Sequence, residues 1–540
     1  MSLTRAQKLE QIQSGNSAFD LVVIGGGITG AGVAREAAGS GLRTLLLEQN
    51  DFSWGTSSRS SKMVHGGLRY LGSGQFSLTR DAVRERDRLM AEAPGLIDPL
   101  RFVMPHYRKQ FPGPRLFQIL LRVYDKIARK PSRQRLSPAE TLQWVPGLAT
   151  DNLLGASGFT DAVTDDSRLV QRVIEEAEAD RALCLNYLHV EDIIRDRDSG
   201  AVSGVRLRDT GTGEESFSVN TRLVINATGA WARQFQQADV DNTRIRPLRG
   251  SHLVLPFSRL PVSCSVSLFH PEDRRPVFAF PWQGTTVLGT TDLDHEDSLA
   301  REPAITRTEM DYLLQIAATL FPSSAITERD IIATWAGVRP VVSARSTKAK
   351  STDAKPVKPS KENREHVTWS DNGLISIAGG KLTTFRLIAR EVLARAQNLV
   401  PGFKLRKNEA RVFSPPAELE RPPSIGHQNW ERLQGFYGPS LSQVLAAGSH
   451  STIAPSDTLW AELAWAAGHT GVVHLDDLLL RRTRLGLILP SGGESLMPEI
   501  RTLCQPILGW DNSTWDREQV RYLGIRHSSY SLPVNGSKAR

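Results

Sequence analysis

Phe19 to Ile24 (FDLVVI) is a short apolar run rich in β-branched residues, the pattern of a strand covered on both faces. A glycine-rich turn follows. Residues 28–41 then read as a helix of small residues closing at Gly39 and Gly41, and Leu42 to Leu47 is a second apolar strand ended by Glu48. This order predicts a βαβ unit. Helical periodicity recurs at 77–93, 116–130 and 167–180, and Leu183 to Val190 reads as a strand. Residues 201–225 read as a strand pair around a glycine-containing turn, ending in LVIN, and 250–295 as several short strands. The Lys-, Ser- and Pro-rich stretch 345–363 predicts an exposed loop. From about residue 405 the pattern turns helical, most clearly at 456–467 and 474–489. No internal repeat and no long low-complexity tract interrupts this order.

At 540 residues the chain is too long for one core, and two or three domains are expected. Hydrophobic residues make up 40% and charged ones 23%, a globular composition. Cys184, Cys264 and Cys504 are far apart and form no CxxC pair, which argues against a disulfide framework or a zinc site and for a reducing compartment. The first eighteen residues are polar and lack an apolar h-region, so no signal peptide is expected, and no apolar run is long enough to span a bilayer. The net charge of +8 suits an anionic substrate, an anionic membrane surface or nucleic acid, without choosing among them.

Gly25-Gly26-Gly27-Ile28-Thr29-Gly30 matches GxGxxG between a predicted strand and a predicted helix. Such glycines allow a tight turn, close approach of backbone to a pyrophosphate, and close helix–sheet packing, with the phosphates at the helix N-terminus. Glu48, at the end of the next strand, stands where a ribose-binding acid is expected, and its charge disfavours NADP. The loop alone does not separate NAD from FAD. Three later stretches point to a flavin. Thr56-Ser57-Ser58-Arg59-Ser60-Ser61-Lys62 offers hydroxyls and cations, and is followed by Val64-His65-Gly66-Gly67-Leu68-Arg69-Tyr70. Asn226-Ala227-Thr228-Gly229-Ala230-Trp231 follows a buried strand, and Ile377-Ala378-Gly379-Gly380-Lys381-Leu382-Thr383-Thr384 is a further strand–glycine–helix junction. Each alone reads equally well as structure; together they describe one FAD site built from separated segments.

With these phrases in order, joined by RGSH and TWAGVRP, the chain resembles the FAD-dependent (aerobic, respiratory) glycerol-3-phosphate dehydrogenase family of the D-amino-acid oxidase-like superfamily. The likeness runs from about residue 18 to about 400 and continues more weakly beyond. Thr29 departs from the Asn common in relatives, at a position whose side chain phosphate binding does not need. The resemblance implies an α/β fold: a Rossmann-type FAD-binding domain at 19–95, 150–235 and 335–400, and a β-rich substrate or cap domain at 96–149 and 236–334. A polar extension at 1–18 and a C-terminal helical domain at 405–540 flank them. The cofactor residues it implies are Gly25, Gly27, Gly30, Glu48, Thr56, Ser57, Ser58, Ser61, His65, Gly66, Gly67, Val190, Thr228, Gly229, Gly380, Lys381, Leu382 and Thr383. No metal is expected.

The activity implied is oxidation of sn-glycerol 3-phosphate to dihydroxyacetone phosphate. A dianionic phosphate calls for guanidinium groups. Arg339 in AGVRP, Arg364 in NREH and Arg69 in GGLRY match the family's arginines by context. His252 in RGSH is the candidate base, because imidazole titrates near neutrality. His65 is the alternative, and Arg339 suits electrostatic stabilisation of the forming alkoxide.

From Arg101 to Arg135 there are ten Lys or Arg residues and one acid, Asp125. Leu116, Phe117, Ile119, Leu120, Val123, Tyr124 and Ile127 lie among Arg115, Arg122, Lys126, Arg129 and Lys130. A basic amphipathic helix reads equally as a membrane-surface element or as a core helix with a solvated basic face. The resemblance implies an enzyme bound peripherally to the inner face of the cytoplasmic membrane and reducing ubiquinone or menaquinone; a related branch uses oxygen. It leaves room for a homodimer. An RNA-modifying flavoprotein would interleave aromatics with the basic patch. Phe102, Tyr107 and Phe111 do so only thinly, so no nucleic-acid partner is expected. An amine or amino-acid oxidase fits GGLRY and GVRP less well.

Overall fold

The computed structural model describes residues 3–14, 18–68, 71, 74–211, 213, 215–235, 243–344 and 366–533. The loop expected at 345–363 lies outside the described residues, as do Arg69 and Arg364.

The LVVI and TLLL strands, Leu21–Ile24 and Thr44–Leu47, are buried along their whole length, as uninterrupted apolar runs require. They lie inside a six-stranded sheet ordered Val367–Asp371, Leu374–Ala378, Val224–Asn226, Leu21–Ile24, Thr44–Leu47, Leu183–Leu185. Pairing is parallel except at the outermost strand, Val367–Asp371. The helix Ile28–Ala38 connects the two central strands and packs against Asp166–Ala179 and Phe385–Ala396. This is the Rossmann-type unit.

The strand expected at 183–190 divides. Leu183–Leu185 joins the parallel sheet, Tyr187 takes a positive φ of 56°, and Leu188–Arg195 enters a separate antiparallel sheet with Val202–Asp209 and Phe217–Asn220. Only Asn186 interrupts the apolar run at the break, too slight a signal to divide the strand in a hydropathy reading.

The β-rich unit is a ten-stranded sheet. Ile97–Tyr107 runs antiparallel to Leu153–Thr164, and Thr243–Pro256 runs antiparallel to Ala333–Ala344. Leu153–Thr164 and Ala333–Ala344 thus both belong to the large sheet. Leu153–Thr164 leads directly into Asp166–Ala179, which packs on the helix Ile28–Ala38 beside the parallel sheet.

The N-terminal stretch is not a bare polar tail: Arg5–Gln13 is a helix with a Thr4–Gln7 capping box, and Leu9 and Ile12 are buried. The C-terminal region is helical, with His427–Tyr437, Trp460–His469, Met497–Leu508 and Asn512–Ser529 as its principal elements. The segment 474–489 is not one helix. A π-type turn, Asp477–Arg482, leads to Arg484 in the left-handed region (φ 62°) and a short helix, Leu485–Ile488. Leu479, Trp515 and Tyr522 share a core with Phe280 and Trp335 of the large sheet.

Candidate active site

The Leu21–Ile24 strand delivers Gly25–Gly30 to the carboxyl edge of the parallel sheet, the position where open α/β folds bind ligands. Gly25 has φ +108°, and a Cβ on Gly30 would stand 1.8 Å from the Gly25 carbonyl oxygen. Only glycine fits there without moving the loop. Gly30→Ala is therefore expected to weaken FAD retention about tenfold or more, read as flavin absorbance per protein after gel filtration. Full flavin loading of the variant would remove the loop from the site.

A cleft of about 1160 Å³ opens at this loop. Gly25, Gly27, Glu48, Thr56, Ser57, Val190, Thr228, Gly229, Gly380, Lys381 and Leu382 all line it, so six separate stretches of the chain meet there. Ser60, Leu188 and His189 join them, as do Trp54 and Trp231 with ring centroids 6.2 Å apart. Glu48 accepts the Gly26 N–H at 2.7 Å and the Asn50 N–H at 2.9 Å, and burial pushes its carboxyl pKa up. The Ser57 hydroxyl accepts the first helical N–H, from Ile28, at 3.0 Å.

Other expected residues support the cleft from behind. Ser58 is buried, and its carbonyl accepts from Lys62 Nζ at 3.2 Å and Arg484 Nη2 at 2.6 Å. Gly66 donates its N–H to Asp161 Oδ1 at 3.0 Å, and a Cβ there would lie 2.1 Å from the Tyr124 hydroxyl. Its small size allows close packing against Tyr124 of the helix Pro114–Ala128. His65 is half-buried, and both its N–H and its carbonyl pair with the Thr383 hydroxyl at 3.2 Å. That contact ties the HGG segment to the GGKLTT junction.

The substrate side lies where Thr243–Pro256 meets Ala333–Ala344. Arg339 is half-exposed beside Pro340, which lines the cleft. Its Nη1 lies 3.1 Å from Asp292 Oδ1 and its Nη2 donates to Thr290 Oγ1 at 3.1 Å. Asp292, fully buried, also meets Arg275 Nη2 at 3.2 Å. His252 is only 1% exposed; its Nε2 stands 2.9 Å from Ser61 Oγ and its ring stacks on Trp335 at 4.8 Å. Burial first, then the Arg339 and Lys62 charges, hold its pKa well below the usual imidazole value. Lys62 Nζ sits over Trp335 at 4.5 Å and pairs with Asp166 at 2.7 Å. Burial, with Arg484 beside it, lowers the Lys62 pKa to about 8.

Asp292, Thr290 and Trp335 were not among the site residues that the motifs suggest, and Lys62 entered only as one cation of the Thr56–Lys62 cluster. Trp335 stands inside TWAGVRP and Lys62 closes the Thr56–Lys62 cluster, so both had a local signal. Asp292 had none, because 47 positions separate it from the arginine it holds. Among the described residues no cluster of His, Cys, Asp and Glu suits a metal ion.

The pattern of the FAD dependent oxidoreductase family (DAO) matches residues 20–386, and that of the C-terminal domain of alpha-glycerophosphate oxidase matches residues 385–515. The chain is 33% identical over 543 residues to glycerol-3-phosphate dehydrogenase 2 of Mycobacterium tuberculosis, covering 94% of this chain and 88% of the relative. It is 34% identical over 437 residues to the aerobic glycerol-3-phosphate dehydrogenase of Bacillus subtilis, covering 80% and 75%. The chain belongs to the FAD-dependent glycerol-3-phosphate dehydrogenase family. Its cofactor is FAD. Among solved structures, the FAD complex of glycerol-3-phosphate dehydrogenase from Bacillus halodurans superposes with a TM-score of 0.75 at 27% identity, over 97% of this chain and 98% of that one. L-alpha-glycerophosphate oxidase from Mycoplasma pneumoniae shares the fold at a TM-score of 0.54 and 19% identity, over 73% and 97%.

The fit of FAD to this chain rests on its own geometry. The glycine cradle, the N-terminus of Ile28–Ala38 and Glu48 suit a pyrophosphate and a ribose. The junction at Gly380–Leu382 brings Lys381 to the cleft as well.

Proposed function

We propose that this protein oxidises sn-glycerol 3-phosphate to dihydroxyacetone phosphate. The observation that carries the substrate reading is Arg339: a guanidinium held at the cleft by a buried carboxylate and a threonine hydroxyl, close enough to His252 for its charge to lower that imidazole's pKa. The fork suits bidentate contact with a phosphate. FAD held in this cleft would supply the hydride acceptor for C2. The residues of the chain bind and orient the substrate, take the C2 hydroxyl proton, and stabilise the developing alkoxide.

Burial separates the two histidines. His252 is enclosed between Ser61 and Trp335, whereas half-buried His65 stands at the Thr383 junction. This favours His65 for direct proton abstraction and gives His252 the role of holding Ser61. Anaerobic addition of glycerol 3-phosphate to the FAD-loaded protein is expected to bleach the flavin band. An unbleached band in fully loaded protein overturns the assignment.

For the electron acceptor we propose ubiquinone or menaquinone, reached from the inner face of the cytoplasmic membrane. The helix Pro114–Ala128 supports this. Phe117, Leu121 and Tyr124 bury one face in the core. Leu116, Ile119 and Val123 are exposed by 48, 55 and 36% on the other, with Phe111 nearby at 69%. Arg115, Arg122 and Lys126 are exposed on that same outer face, and Arg129 and Lys130 follow it. A solvated basic face has no need of this apolar stripe; an anionic lipid surface uses both. Among the described residues no helix is long and apolar enough to cross a membrane. Charge reversal at Arg122, Lys126, Arg129 and Lys130 is expected to abolish co-sedimentation with anionic vesicles, each cation contributing about 1 kcal/mol. Unchanged sedimentation counts against the membrane reading.

A further inference from the structure

The loop from Asn50 to Gly55 carries no strand or helix, yet it connects Glu48 to Thr56 and Ser57, all of which line the FAD cleft. Its conformation therefore depends on anchors outside itself. Asp51 is the principal one. Its carboxylate is fully buried and accepts a two-pronged pair from Arg482, Nη1 to Oδ2 and Nη2 to Oδ1, each at 2.7 Å. Arg481 Nε adds a bond at 2.6 Å and Asn186 Nδ2 one at 3.0 Å. Burial alone would raise the Asp51 pKa; Arg482 and Arg481 overcome it and hold it at about 2. Arg481 is fixed in turn by Asp476 at 2.7 Å and Asp477 at 2.5 Å, and Asp477 accepts the Tyr187 hydroxyl at 2.7 Å.

The other end of the loop is held by the same element. Arg484, in its left-handed conformation, donates to the Ser58 carbonyl at 2.6 Å and to Asp166 Oδ1 at 3.2 Å. Asp166 Oδ2 accepts the Ser60 N–H and hydroxyl at 2.8 and 2.7 Å. Three arginines from one irregular turn of the C-terminal region thus reach both ends of the segment that shapes the cleft. A regular helix over 474–489 would spread them around its circumference, so the π-type turn is what aims them together.

We infer that the Arg481–Arg484 turn is a clamp on the FAD-binding loop, and that Arg481, Arg482 and Arg484 are positioning residues through which the C-terminal domain sets how tightly FAD is held. The inference rests on FAD as the cofactor and is independent of the substrate, so its tests need no glycerol 3-phosphate.

The test is FAD titration of apo-protein, followed by quenching of flavin fluorescence. Arg482→Lys keeps the charge and loses the two-pronged geometry. The pair Asp51→Asn with Arg482→Gln removes both charges, so that no unpaired ion is left buried. Both are expected to fold by far-UV circular dichroism while the dissociation constant for FAD rises about tenfold or more. Dissociation constants within twofold of the parent in folded variants would show a purely structural contact and overturn the clamp. Hydrogen exchange on the unaltered full chain provides a measurement independent of variant folding. Coupling is reciprocal, so FAD addition is expected to protect amides at 473–485 as well as at 48–58. Protection confined to 48–58 overturns the proposal.

Discussion

Replacing Arg339 by Gln is expected to lower kcat/KM for glycerol 3-phosphate about a thousandfold while leaving bound FAD intact. A charge-assisted hydrogen bond contributes about 1.5–3 kcal/mol, and losing two from a phosphate contact amounts to about 4 kcal/mol, or three decades in rate. The loss is expected chiefly in KM, since the phosphate is contacted in ground state and transition state alike. Arg339→Lys keeps the charge but offers no fork to share between phosphate and the Thr290 and Asp292 oxygens, so partial recovery is expected. Asp292→Asn probes the same arrangement from behind. It releases Arg339 and Arg275 from their shared carboxylate, and a smaller rise in KM is expected. Steady-state assays with an artificial dye acceptor check all three variants. A kcat/KM for Arg339→Gln within tenfold of the parent would falsify the phosphate assignment.

The sequence carries the dinucleotide unit clearly because its signals are local. A strand, a glycine turn, a helix and an acid at a fixed spacing lie within thirty residues, and each obeys a short-range rule. The meeting of Thr56–Ser57, Val190, Thr228–Gly229 and Gly380–Leu382 at one cleft was legible only through the combination of phrases. The β-rich unit was legible as strands but not as partners. Nothing in Leu153–Thr164 or Ala333–Ala344 says which sheet receives them, because pairing is settled by contacts more than forty residues away. The turn at 477–484 was misread for a related reason. Its apolar residues keep helical spacing, and the cause of the distortion, the buried carboxylates of Asp51 and Asp166, lies more than 300 positions upstream.

His65→Gln is expected to slow flavin reduction by glycerol 3-phosphate about 10²–10⁴-fold, the range for loss of a positioned general base, with FAD retained. His252→Gln is expected to act differently. Its imidazole touches Ser61 and Trp335 rather than the open cleft, so removing it should disturb the site by about tenfold or less, within the reach of a lost hydrogen bond. A stability measurement separates the two roles further. The folded protein holds His252 neutral, with its pKa depressed below 6.5. The unfolded chain binds a proton there as pH falls through 6.5, whereas the folded chain does not. The unfolded state therefore carries more protons, and stability falls with acidification. This term is absent above pH 6.5 and grows below it, until the folded-state pKa is reached. His252→Gln is expected to flatten that acid limb in denaturation melts, whereas His65→Gln leaves it in place. Stopped-flow reduction and pH-dependent melts on the two variants decide the matter. Severe loss of reduction in His252→Gln alongside near-normal reduction in His65→Gln would exchange their roles, making Ser61 the relay between substrate and a buried base.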